Sequence, residues 1–152
     1  MGVEERITEG LESRLGTFLK RAEQALMTEK HRVLKPFDLS VPQYAALHAL
    51  SVAPLSGAQL ARVCCVTPQS MASLLATLES KKLIERTPSD VHAQVLVARL
   101  TRTGHSTFRK ANAAALEVEA RLSATFTPEE DKVFRDLLQR SIATLSTPPP
   151  AS

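Results

Sequence analysis

The sequence predicts a mainly α-helical chain that carries one small β-hairpin. Three observations predict it. Hydroxyl-led start signals open apolar runs at helical spacing in four places. Trp is absent and Tyr occurs once, so the core must be built from Leu, Ala and Val, a composition that suits helices better than a β-sandwich. Only the stretch 83–100 sets two β-prone runs around a polar loop.

The first helix is expected from about Glu4 to Leu34, with Ile7, Leu11, Leu15, Phe18, Ala22 and Leu26 at helical spacing, and Pro36 stops it. Ser40-Val41-Pro42-Gln43 opens a second helix to about Val52, the hydroxyl accepting from a free backbone N–H while Gln43 reaches back. Ser56-Gly57-Ala58-Gln59 repeats that grammar for a third helix ending near Cys64. Thr67-Pro68 opens a fourth, to about Lys81, with Pro at the position where its missing N–H costs nothing. The hairpin follows as Leu83–Thr87, the loop Pro88–Gln94, and Val95–Leu100. A long helix is expected from about Arg102 to Ala124, and Thr127-Pro128-Glu129-Glu130 opens a last one to about Leu145. The tail 147–152, with three consecutive prolines, is expected to be disordered.

The 152 residues suffice for one domain with a real core. No apolar run reaches the roughly 18–20 residues a membrane span needs. The acidic, polar N-terminus does not read as a secretory signal, and Arg6 stands where a myristoylation motif requires Ser or Thr. A cytoplasmic protein is expected. The adjacent cysteines, Cys64 and Cys65, lack the spacing of a zinc half-site and bridge only through a strained ring. They are expected to be buried free thiols.

Charge is unevenly placed. Residues 56–110 hold eight Lys or Arg against three acids, a local net of +5 within a chain whose net is +3. Such a segment suits phosphate. Within it the third and fourth helices are separated only by Cys65-Val66, which makes them a helix-turn-helix. On the fourth helix Met71, Leu74, Leu75 and Leu78 share one stripe and must be buried. The opposite face shows Gln69, Ser73, Ala76, Thr77 and Ser80, with Ser70 on its flank, all short and none acidic. A DNA major groove accepts a helix with such a face, and Gln can pair bidentately with adenine. Lys81 and Lys82 follow at the expected phosphate-facing end.

The hairpin supplies a wing, whose candidate DNA contacts are Arg86, His92 and Gln94. With Ser56, Thr67 and Pro68 at the two helix starts, the candidate DNA-contacting set is Ser56, Thr67, Pro68, Gln69, Ser70, Ser73, Thr77, Lys82, Arg86, His92 and Gln94. Two other classes are set against this. The four histidines lie without metal spacing, and no nucleophile elbow or phosphate-binding loop occurs, so neither an enzyme nor a metal or other cofactor is expected. A winged helix used only for protein contacts would carry apolar or acidic residues where Gln69, Ser70, Ser73 and Thr77 stand.

The order of these features resembles the MarR family of bacterial regulators over nearly the whole chain. The matching pieces are Leu39-Ser40-Val41-Pro42-Gln43-Tyr44, Leu60-Ala61, Thr67-Pro68-Gln69-Ser70-Met71, Leu78-Glu79, Leu83-Ile84-Glu85-Arg86 and Leu100-Thr101-x-x-Gly104. The resemblance implies a winged helix-turn-helix lobe at 37–101, with residues 1–36 and 102–146 as dimerisation helices. It further implies a homodimer that sets two recognition helices one turn apart on an inverted repeat of double-stranded DNA, most often as a repressor. The apolar stripe Val133, Leu137, Leu138, Ile142 and Leu145 suits an intersubunit seam or an internal core equally. Where the family's wing commonly has Asp-x-Arg, this chain has Asp90-Val91-His92, which points to a weaker or pH-sensitive wing contact. Release of DNA by a small aromatic acid or phenol is also implied, with Phe18, His31, Phe37, Tyr44 and His48 as candidate lining.

Overall fold

The computed structural model describes residues 2–149. The chain runs as α1 (Val3–Glu12), α2 (Leu15–Leu34), a 3-10 turn (Lys35–Phe37), α3 (Val41–Val52), β1 (Leu55–Ser56), α4 (Gly57–Val63), α5 (Pro68–Ser80), β2 (Ile84–Pro88), β3 (Leu96–Leu100), α6 (Arg102–Ser123) and α7 (Pro128–Ser146). It divides into two compact units, residues 1–116 and 117–152. Of the expected disordered tail, 150–152 lie outside the described residues.

The start signals act as the sequence predicts. Ser40, Ser56 and Thr127 each accept from the backbone N–H three residues on, and Gln43, Gln59 and Glu130 reach back to complete a capping box. Thr67 Oγ1 accepts from Ser70 N–H at 3.1 Å. Each such cap contributes about 1 kcal/mol.

The expected first helix is in fact two. Arg14 has extended backbone (φ −109°, ψ 126°) and caps α2, so the ladder stops at Ser13. Ser13 Oγ donates to Gly10 O at 2.8 Å while Arg14 N–H takes the tighter bond to Leu11 O at 3.1 Å. Serine back-bonding of this kind, between two glycines at 10 and 16, offers the backbone an alternative to the α-ladder. The apolar spacing continues across the break, which is why periodicity alone reads one helix.

The hairpin gains a third strand that the sequence does not announce. β1 pairs antiparallel with β3 through Leu55↔Ala98 and Ser56↔Val97, giving the order β1-β3-β2. β2 pairs with β3 from Ile84↔Leu100 to Pro88↔Leu96. Ile84, Ala98 and Leu100 face the core, where Leu34, Leu47, Leu60, Met71 and Leu78 are fully buried. Burial of a leucine contributes about 1.5–3 kcal/mol, so this cluster fixes α5 against α3, α4 and the sheet.

Three turns share one device. Asp38, Cys65 and Lys82 adopt left-handed backbone (φ 53°, 54° and 58°) at the ends of the 3-10 turn, α4 and α5. The next residues, Leu39, Val66 and Leu83, return N–H bonds to Leu34, Ala61 and Leu78 carbonyls at 3.4, 3.0 and 3.0 Å. These are Schellman-type stops with an apolar residue closing each, made without the glycine that usually serves there.

Glycine is required elsewhere. A β-carbon on Gly104 would overlap the Leu83 backbone carbonyl, so the first turn of α6 lies directly against the turn between α5 and β2. Thr101 completes the joint, its Oγ1 donating to Lys82 O at 2.7 Å and accepting from Gly104 N–H at 2.9 Å.

Candidate nucleic-acid interface

α4 and α5 form the two helices of a helix-turn-helix, joined through the left-handed Cys65. Met71, Leu75 and Leu78 anchor one face of α5, and Leu74 is half-buried beside them. The other face leaves Pro68, Gln69, Ser70, Ser73, Ala76 and Thr77 exposed, with no acid before Glu79. Thr67 is exposed at its head, its hydroxyl also donating to Ser70 Oγ at 2.9 Å. Thr77 Oγ1 donates to Ser73 O at 3.1 Å and Ser80 Oγ to Thr77 O at 2.8 Å, so both hydroxyls offer lone pairs outward. Ser56, half-buried, is committed to capping α4.

The cations around this face differ in availability. Lys82 is exposed on its left-handed turn. Lys81 instead reaches back to Asp38, with Nζ 3.0 Å from Oδ2 and a further bond to the Asp38 carbonyl. Arg86, expected to project as a wing contact, turns toward α5. Its Nε and Nη2 donate to Glu79 Oε2 at 3.1 and 2.7 Å, with the two side chains 33% and 42% exposed. The Glu79 carboxylate, next to last on α5, takes both donors, and the pair fastens β2 to α5. From β3, Arg99 lies 3.5 Å from Asp90 of the hairpin loop. His92 and Gln94 are exposed there, on a loop closed by Ser89 N–H to Val95 O at 2.7 Å and Val95 N–H to His92 O at 2.9 Å.

The thiols depart from expectation. Cys64 is half-buried against the core, but Cys65, on the left-handed turn, is exposed. Burial first, and the neighbouring Cys65 second, push the Cys64 thiol above its ordinary range.

The expected effector residues separate into two groups. Tyr44, His48 and Phe108 stack on one another, with ring centroids 5.6–6.1 Å apart. Tyr44 Oη donates to Asn112 Oδ1 at 2.7 Å. Phe108 and Asn112 on α6 were missed from sequence, although their spacing beneath His105 on one helix face was available. Phe37 packs against the core, and Phe18 and His31 are exposed on α2. None of these three joins the stack among the described residues.

A core-anchored helix-turn-helix on a three-stranded sheet, with a hairpin wing after it, defines the class: a winged-helix protein of the kind built to present one helix outward. The sequence profile described as MarR family matches residues 37–95. The HTH-type transcriptional repressor Rv2887 of Mycobacterium tuberculosis is 34% identical over 127 residues, 83% of this chain and 91% of that protein. The crystal structure of that MarR family protein in complex with DNA aligns with a TM-score of 0.66 at 32% identity, covering 84% of this chain and 96% of the other. Its complex with salicylic acid aligns with a TM-score of 0.66 at 34% identity, over 84% and 95% of the two chains. This chain belongs to the MarR family.

Proposed function

We propose that the protein is a cytoplasmic transcriptional repressor, without catalytic activity, that binds an inverted-repeat operator as a homodimer and leaves it on binding a small aromatic or phenolic acid. The observation that carries this reading is the outward face of α5, exposed, short-chained and free of acids from Pro68 to Leu78. Gln69 reads a base edge in the major groove, Ser70, Ser73 and Thr77 supply short donors and acceptors, and Lys82 takes a phosphate. Ser56, Thr67 and Pro68 bring the two helix starts up to the backbone. His92 and Gln94 follow the adjacent groove, and Arg86 joins them only by leaving Glu79. Residues 37–101 act as the DNA-binding lobe.

Dimerisation falls to 1–36 and 102–146. Val3, Ile7, Leu11, Leu15 and Phe18 on α1 and α2 are exposed, as are Val133, Phe134, Leu137, Ile142 and Leu145 on α7. Apolar surface on this scale is ordinarily covered by a partner. For the effector, the Tyr44–His48–Phe108 stack with the Tyr44–Asn112 hydrogen bond gives an aromatic shelf beside a polar pair, and it ranks above Phe18, His31 and Phe37. The Mycobacterium tuberculosis relative, solved with DNA and with salicylic acid, supports both halves of the reading.

The test is fluorescence anisotropy of the protein on the DNA flanking its own gene, against a random duplex, at two salt concentrations. Tight binding that survives the competitor, weakens with salt and is released by salicylate is expected. Absence of binding at low salt would favour a module for protein contacts.

A further inference from the structure

The turn of the helix-turn-helix holds two nucleophiles that DNA recognition does not use. Cys65 is exposed, and Cys64 beside it is half-buried; both are free thiols. Two thiols fall short of the four ligands of a structural zinc site. A disulfide between adjacent residues closes only through a strained ring. A single thiophilic atom that accepts two bent sulfur bonds meets neither obstacle, because the atom itself enlarges the ring, and soft thiolate donors select for such centres.

We propose that Cys64 and Cys65 form a dithiol site for a trivalent arsenical, and that occupation of this site weakens DNA binding. The second half rests on the repressor reading above. Exposed Cys65 attacks first, since access governs thiol reactivity and Cys64 is half-buried, with burial raising its pKa. Closure by Cys64 is then intramolecular, at high effective concentration. An arsenoxide R–As=O takes both sulfurs, two As–S bonds form, and the oxygen leaves with the two thiol protons as water. Arsenic stays trivalent, so no oxidant is consumed.

The consequence follows from where the ring closes. Cys65 N–H to Arg62 O at 3.3 Å and Val66 N–H to Ala61 O at 3.0 Å hold this turn, and α5 begins at Pro68. Drawing both sulfurs onto one atom pulls the Cys64 side chain from its core contacts and strains a turn already left-handed at φ 54°. The start of α5, with Thr67 and Gln69, shifts with it.

The experiment treats reduced, full-length protein with phenylarsine oxide and follows intact mass, free-thiol count and DNA anisotropy. One adduct per chain is expected, with the count falling from two thiols to none, resistant to a monothiol and reversed by a dithiol. Cys64→Ser and Cys65→Ser should each leave an adduct that a monothiol strips, and the wild-type adduct should bind DNA about tenfold more weakly. Two adducts per chain, or one that a monothiol removes, would overturn the site. A stable chelate with unchanged DNA affinity would overturn its regulatory role. Failure of the untreated protein to bind DNA would instead count against the repressor reading, since the mass result stands apart from it.

Discussion

The recognition helix and the wing carry similar numbers of polar groups and use them in opposite ways. On α5 the outward side chains are uncharged, and the hydroxyls of Thr67, Thr77 and Ser80 that donate do so within their own helix. On the hairpin the charged groups are spent inward, Arg86 on Glu79 and Arg99 on Asp90. The difference teaches that a local net charge of +5 overstates what a polyanion meets. Lys81, Arg86 and Arg99 each have an acid of the same protein beside them, whereas among the described residues Arg62, Lys82, Arg102, Arg109 and Lys110 form no ion pair. On the proposed reading, base recognition falls mainly to the helix, while the ion pair of Arg86 ties the wing to it.

The contrast can be broken most severely at the joint behind it. Gly104→Ala should destabilise the lobe by about 1–3 kcal/mol or more, since the β-carbon meets backbone rather than a movable side chain. Thermal unfolding checks it; a melting temperature within a degree of wild type would show that α6 need not lie so close. Gln69→Ala should cost about 1–3 kcal/mol on the operator and little on random DNA. Equal losses on both duplexes would remove Gln69 from base reading.

Lys82→Gly sharpens the comparison because it moves two quantities in opposite directions. Relief of the left-handed turn should raise stability by up to about 1 kcal/mol, while the salt slope of DNA binding flattens by about one unit. Denaturant melts and salt titrations read the two effects separately. Arg86→Ala should change least. Its ion pair is solvent-screened and worth at most about 1 kcal/mol, and DNA affinity measured by anisotropy should shift less than for Lys82→Gly. A larger loss would mean that the arginine exchanges Glu79 for phosphate when DNA arrives.

Most of the architecture was legible because local chemistry dictates it. Ser40, Ser56, Thr67 and Thr127 each cap where their hydroxyls predict, and the buried stripe of α5 follows from helical spacing alone. The failures have physical reasons as specific. A two-residue strand such as β1 has no period to detect and exists only because β3 offers an edge. The break at Ser13-Arg14 leaves the apolar register intact, so nothing in the spacing marks it. The pairing of Arg86 with Glu79 has no signal in the sequence because it depends on how β2 lies against α5, not on either segment alone. The ring stack of Tyr44 and His48 is equally hidden, because Phe108, which completes it, and Asn112, which accepts from Tyr44, come from α6, far along the chain.

The joint at Thr101 and Gly104 has a mechanical meaning. Thr101 N–H to Leu83 O at 3.0 Å and Thr101 Oγ1 to Lys82 O at 2.7 Å tie the turn that closes α5 to the residue that opens α6. On the proposed reading, a tilt applied to the beginning of α6 would be passed through these bonds to the turn that closes the recognition helix. Because Phe108 and Asn112 sit on that same helix, a molecule wedged at the aromatic shelf would work at the short arm of a lever whose long arm is the reading face of α5.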